Sequence, residues 1–256
     1  MTIVTPDPGN SSVPDRIALI SDVHGNVTAL TAVLDDIRRR GIPTILNLGD
    51  VAGKGPRGSE CVRLTREHCA VTIRGNWDDF MPKPATRPRH PAVEWWREEL
   101  TSDDREWLLG LPLSHDLTLS GRRVRLVHAS AESVYVRVFP HHSEPEFAAM
   151  FAATELTGPG PTPDVVCYGD IHYAYIRHRN GLTLLNAGSV GNSLDEPTAS
   201  YVILDGELGS AAPAAFGVQF VRVPYDVEAE IAAATALGMP ELDEYAAELR
   251  TAVYQR

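Results

Sequence analysis

Cysteine is scarce in this 256-residue chain: Cys61, Cys69 and Cys167 are odd in number and nowhere spaced C-x-x-C. That excludes a disulfide-stapled scaffold and a thiolate zinc site, and points to buried or half-buried thiols in a reducing compartment. Basic residues are also in deficit, with Lys+Arg 23 against Asp+Glu 34 and a net charge of -11, a balance that argues against binding a nucleic-acid backbone. No apolar run approaches the length of a membrane span, and Met1 to Asp15 has neither a basic n-region nor a leucine-rich core. The expectation is a cytoplasmic protein with no membrane partner. There is no internal repeat either. What remains is ordinary globular material, 43% hydrophobic and 22% charged, enough for one α/β domain with a large core.

Residues 1–15, rich in Pro, Ser, Asn and Asp, are expected to be a disordered tail, with one domain over 16–256. Arg16–Ser21 reads as a buried strand. Val27, Leu30, Val33, Leu34 and Ile37 recur at helical spacing before a glycine stop at Gly41, and a second strand follows at Ile45–Leu48. This is a βαβ unit, which a third strand near Val71–Ile73 extends into a partly parallel sheet. Residues 81–114 break the rhythm with Pro82, Pro84, Pro88 and Pro91, the Trp95–Trp96 pair and two short helical patterns, and are read as a small cap. Short strands follow at 117–119, 124–127, 165–168, 175–179, 182–185 and 201–204, with a helix near Glu144–Ala153. An edge strand near Phe220–Val223 and two Ala-rich helices close the chain. The last helix is read as packing or a homo-oligomer contact.

Five patches carry the chemistry: Ser21-Asp22-Val23-His24-Gly25-Asn26, Leu48-Gly49-Asp50, Arg74-Gly75-Asn76-Trp77-Asp78, Leu126-Val127-His128-Ala129 and Gly169-Asp170-Ile171-His172. Each ends an apolar, β-branched run, so the fold is expected to gather carboxylates, imidazoles and one carboxamide at one edge of a sheet. Singly, each patch is a common turn, a surface tripeptide or a core histidine; together, in order, they supply ligands for two metals.

That order resembles the calcineurin-like metallophosphoesterases, whose pattern reads D-x-H, G-D, G-N-H-[DE], an isolated His and G-H-x-H. Asn186-Ala187-Gly188-Ser189-Val190-Gly191, Ala199-Ser200-Tyr201 and Arg222-Val223-Pro224-Tyr225-Asp226-Val227-Glu228-Ala229 resemble the closing segments of its bacterial small phosphodiesterase and diadenosine tetraphosphatase-like branch, so the resemblance covers roughly residues 16 to 250. It implies a four-layer α-β-β-α sandwich with a small helical cap. It implies two divalent ions, with Asp22, His24 and His172 on the first, Asn76, His128 and the residue at 170 on the second, and Asp50 bridging both. The nucleophile is then a metal-bridging hydroxide, and Asn186 with its glycines shapes a turn beneath the site.

The chain departs from the pattern twice. Trp77 stands where the family's His protonates the leaving group; an indole N–H is no acid near neutral pH, so good leaving groups are favoured. A soluble nucleotide-like phosphodiester or phosphoanhydride, such as a dinucleoside polyphosphate, is the expected substrate, with Trp77 stacking on it and Arg74 contributing charge. Asp170 replaces a His, and its harder oxygen ligand favours Mn²⁺ or Fe, with Mg²⁺ and Zn²⁺ as alternatives. A protein serine/threonine phosphatase and a catalytically weak metal-binding scaffold for a protein partner are the competing readings. His141 and His142 are the remaining imidazoles that could face the pocket, while His68, His90 and His115 read as surface or cap residues.

Overall fold

Alternation along a strand buried on both faces decides how this molecule is layered. The computed structural model describes residues 14–84 and 90–255. In β1 (Asp15–Ile20), Ala18 and Ile20 face one apolar cluster while Ile17 and Leu19 face another. The first cluster lies under α1 (Val27–Arg39) and α2 (Gly58–His68); the second is sealed between two sheets, where Leu46 and Leu48 meet Val124, Leu126 and Cys167. Val166, Tyr168 and Leu184 point the opposite way, into a third cluster with Phe147, Met150 and Phe151 beside α6 (Glu144–Ala149). The result is helix, sheet, sheet, helix.

The first sheet orders β10 (Gly217–Val223), β9 (Ala199–Gly206), β1, β2 (Thr44–Asn47) and β3 (Val71–Thr72). Its β1, β2 and β3 are parallel, and β9 and β10 complete it antiparallel, leaving β10 at the edge as expected. The second orders β4 (Ser114–Leu119), β5 (Arg122–Val127), β6 (Val165–Tyr168), β8 (Leu182–Ala187) and β7 (Ala174–Arg179), with β5, β6 and β8 parallel. A helix capped at Asn26, whose side chain accepts the Ala29 N–H, joins β1 to β2 and ends at Gly41 (φ 65°).

The expected tail lies outside the described residues as far as residue 13, and Asp15 is not part of it: it opens β1 and its carboxylate accepts the Leu208 N–H at 2.9 Å. Two helices, α4 (Pro91–Glu99) and α5 (Ser102–Gly110), occupy the segment read as a cap. Two elements were not anticipated, α2 and the five-residue α3 (Asn76–Phe80). At the C-terminus α7 (Val227–Ala236) and α8 (Leu242–Thr251) bury Ile231, Tyr245 and Leu249 against one another and against Trp95 of α4. All three cysteines are free thiols. Burial pushes the Cys61 and Cys167 thiols well up and that of Cys69 to about 12, so none is a reactive thiolate at neutral pH.

Candidate metal centre

Parallel strands deliver whatever follows them to the same edge, and the carboxyl ends of β1, β2, β3, β5 and β6 are followed by Asp22, Asp50, Asn76, His128 and Asp170. The two sheets thus contribute to one spot. All seven of the expected residues arrive there. His24 Nε2 lies 3.1 Å from His172 Nε2, 3.7 Å from Asp22 Oδ1 and 3.6 Å from Asp50 Oδ2. His172 Nε2 lies 3.3 Å from Asp22 Oδ1. On the other side of Asp50, His128 Nε2 is 3.5 Å from Asp50 Oδ2, 3.0 Å from Asn76 Oδ1 and 4.0 Å from Asp170 Oδ1. Asp22, His24 and His172 form one group close enough to share an ion, and Asp22, Asp50 and His128 form a second.

The backbone bends sharply to do this. Ten non-glycine residues among those described have left-handed φ, and five are Asp22 (53°), His24 (50°), Asp50 (56°), Asp170 (66°) and His172 (62°). Each such residue carries a cost of about 1 kcal/mol or more, and such strain gathers at functional sites. Cross-loop bonds hold it: Asp22 N–H donates to the Gly49 carbonyl at 2.9 Å, His24 N–H to Asp50 at 3.0 Å, and Asp170 N–H to Asp22 Oδ2 at 3.0 Å. Gly169 is required by close approach, since a Cβ there would sit 2.0 Å from Ser21 Oγ. Asn186 donates to the Gly169 carbonyl and accepts the Gly188 N–H, the turn-shaping role expected of it.

Hydrogen bonds fix which nitrogens are free to bind. His128 Nδ1 donates to the Leu48 carbonyl at 2.7 Å and His172 Nδ1 to that of Asn192 at 2.5 Å. In both rings Nε2 is therefore the nitrogen left facing the carboxylate oxygens; burial pushes the His128 ring down, but those carboxylates outweigh it and hold it well above the usual imidazole range. Three carboxylates crowded in a buried cluster call for positive charge, from protons on the rings or from an ion in their place. Asp22 Oδ1 and Asp170 Oδ2 add two buried acceptors with no hydrogen-bond donor. The donor set, imidazole nitrogens and carboxylate oxygens without thiolate, fits divalent Mn, Fe, Mg or Zn. Charge shifts follow the same crowding: burial pushes the Asp22 carboxyl up, but His172, His24 and His128 outweigh it and hold it well below the usual range. Burial and nearby Lys54 press His24 down to about 3, keeping it neutral.

Three expectations are altered in detail. Arg74 is engaged by Asp79 and by the Leu109 and Leu111 carbonyls, so it braces the loop before β4 and has no place at the ligand cluster. Trp77 is half buried, 5.0 Å from Phe80 and 5.5 Å from Trp96 between ring centroids, and edge-on to His24 at 5.9 Å. Its backbone N–H donates to Asp50 Oδ1 at 2.8 Å. His142 packs on Phe147 and Tyr175, and His141 stacks on Phe139. One residue escaped the sequence reading: Asp78, fully buried, accepts the N–H groups of Asp50, Val51 and Gly75 at 2.7, 3.0 and 2.9 Å. Burial and the adjacent Asp50 push its carboxyl up to about 7. The G-N-x-D spacing was its only signal.

Comparison with known proteins agrees with this geometry. The calcineurin-like phosphoesterase superfamily domain matches residues 16–208. An uncharacterised protein of Methanocaldococcus jannaschii is 30% identical over 243 residues, covering 84% of this chain and 90% of its own. A metallophosphoesterase from Sphaerobacter thermophilus superposes with a TM-score of 0.69 at 25% identity, covering 94% of this chain and 100% of its own. A hypothetical protein from Pyrococcus horikoshii does so at 0.70 and 18% identity, over 91% and 97% of the two chains. The chain belongs to the calcineurin-like phosphoesterase superfamily and is a metal-dependent phosphoesterase.

Proposed function

We propose that this phosphoesterase hydrolyses a soluble nucleotide-like phosphodiester or phosphoanhydride, with Asp22, His24, Asp50, Asn76, His128, Asp170 and His172 holding two divalent ions. The convergence of four carboxylate and amide side chains with the Nε2 atoms of three imidazoles in one buried cluster carries the reading. Ions in such a site act as Lewis acids on a phosphoryl oxygen and bring the ionisation of water toward neutral pH. The chain's own residues fix where that happens. Asp50 sits between the two groups, its Oδ2 near His24 and His128 and its Oδ1 pinned by the Trp77 N–H. The Leu48 and Asn192 carbonyls orient His128 and His172.

The substrate class follows from proton supply. His24, His128 and His172 are committed to the cluster, His142 is packed in an aromatic niche, and the position after Asn76 is an indole. The position the family gives to its proton donor thus offers none, and the uncommitted imidazole of His141 is stacked on Phe139, so a leaving phosphate or aryl oxide is the better fit. One more distant fold neighbour is described as a candidate diadenosine tetraphosphatase, at 16% identity and a TM-score of 0.50. The likeness is one of fold, and the leaving-group argument carries the substrate reading. Locally, the protein is proposed to work in the cytoplasm on small molecules.

The test is turnover of a panel of nucleotide diesters and polyphosphates by metal-stripped protein given Mn²⁺, Mg²⁺, Fe²⁺ or Zn²⁺ in turn. Stripped protein should be inactive, and Asp50→Asn should lose at least ~10²-fold in kcat. Unchanged turnover by either would overturn the proposal.

A further inference from the structure

Beside the ligand cluster lies a cavity of about 310 Å³, at the small end of the range for small-molecule sites, and it shares His172 and Asp170 with the cluster. Its other walls are unusual for a protein surface. Phe139, Tyr173 and Tyr254, 41%, 38% and 58% exposed, gather around it with Leu194. Three aromatic rings left open to solvent around one hollow point to a ligand that covers them. Lys54 and Arg137 also line it, on a chain whose net charge is -11. Cations at the junction between an aromatic hollow and a candidate metal centre suit a ligand that is anionic at one end and a flat ring at the other.

The rings are held where they stand. His141 stacks on Phe139 at 5.7 Å and 15°. Tyr173 is followed by Ala174, whose N–H is bound by Asp195 at 2.8 Å. Tyr254 comes from the far end of the sequence: Ala252 turns the chain out of α8 with a left-handed φ of 55°, and the Gln255 N–H donates to Glu248 Oε1 at 3.0 Å. The other carboxylate oxygen of Glu248 accepts from the Asn192 side chain at 3.1 Å, and the Asn192 carbonyl is the one that orients His172. One buried carboxylate thus ties the C-terminal segment to the loop beneath the metal centre.

We infer that this cavity is the nucleoside subsite: it takes the base and ribose of a nucleoside phosphate whose phosphate lies at the metal centre, with Tyr254, Tyr173 and Phe139 stacking on the base and Lys54 and Arg137 meeting the charge. This deepens the proposed function and rests on it. The stacking surface is therefore supplied by the C-terminal segment, the loop after Asp170 and the segment carrying Phe139, while Trp77 packs against Phe80 and Trp96 with the Lys54 ammonium 5.9 Å from its ring centroid.

The test is calorimetric titration of the metal-loaded protein with adenosine 5′-monophosphate and with ribose 5-phosphate, which differ only by the base. The nucleotide should bind between about fivefold and a hundredfold more tightly, the span that stacking one base supplies. Tyr254→Ala and Tyr173→Ala should each erase most of that preference, and Tyr254→Phe, which keeps the ring, should retain it. Equal binding of the two ligands by wild type, or a preference untouched by both alanine variants, overturns the inference. Hydrolysis of bis(p-nitrophenyl) phosphate, run alongside, reports on the metal centre alone. A protein that fails there while still preferring the nucleotide has lost the proposed chemistry and kept the subsite.

Discussion

At the scale of single residues, Trp77 carries the sharpest consequence. It replaces the family's proton donor, and the structure shows the indole built into packing with Phe80 and Trp96. Trp77→His should therefore do two separable things. Loss of the indole should cost roughly 1 to 3 kcal/mol of stability, less than the full aromatic truncation, read as a lower midpoint in urea. The new imidazole should raise kcat for substrates with poor alkyl leaving groups by up to ~10², leaving nucleoside polyphosphates little changed. A leaving-group series on both proteins measures it, and a flat dependence in the wild type would show that some other acid already acts. The seven residues gathered in the cluster could be singled out in the sequence because each lies within one to four positions of the end of an apolar run, a signal that survives without any structure. The role of Asp78 could not, because besides the Gly75 N–H three residues back it accepts the Asp50 and Val51 N–H groups of a loop more than 25 residues away, which no local pattern encodes. Arg74 misled for the converse reason: a strand-end arginine beside a site looks like a phosphate anchor until the carbonyls that claim it are seen.

Among the elements, strands were read better than helices. Strands such as β6, recovered with the same bounds, announce themselves by unbroken apolar runs because both faces are buried. The helix α2 was missed: its GSECVRLTREH opens on glycine, has no side-chain cap and buries only one narrow stripe through Cys61, Val62 and Thr65, so tertiary packing rather than propensity keeps it helical. The pair β4–β5 offers a test of pH dependence. Arg125 is fully buried in β5, and Asp116 of β4 accepts from it and from Arg123 across the ladder. Burial pushes the Asp116 carboxyl up, but Arg125 and Arg123 outweigh it and bring it below its usual value. A depressed folded pKa means stability that is present above the unfolded value near 3.9 and is lost as pH falls through the folded one. Asp116→Asn should thus be about 2 to 3 kcal/mol less stable than wild type at pH 7, somewhat under the cost for a wholly buried pair. The gap should close progressively below about pH 4 in denaturant titrations. A difference independent of pH would mean the aspartate acts through shape alone.

For the whole molecule, the proposed metal centre doubles as a fastener, because the residues assigned to it come from both sheets. Removing ions leaves Asp22, Asp50 and Asp170 crowded and buried together, so chelation should lower the melting temperature. Returning an ion at a hundred times its Kd should restore ~2.7 kcal/mol, or roughly 5 to 10 °C in a chain of this size. Thermal scans with each ion also rank them: Mn²⁺ should stabilise more than Zn²⁺, and Asp170→His should move the ranking toward Zn²⁺. Identical rankings in the two proteins would remove Asp170 from the ligand set. The strand order of the first sheet has one more consequence, for how the chain is made. β1 is central there, flanked by β2 and by β9, yet β9 is translated about 180 residues later, after every strand of the second sheet. At bacterial or eukaryotic elongation rates of ~5 to 20 residues per second, one edge of β1 waits roughly 10 to 35 s for its neighbour while the second sheet can already close on itself. During that interval the nascent chain displays an unpaired strand edge, apolar from Ile17 to Ile20, the kind of surface that chaperones cover and that other nascent chains can join.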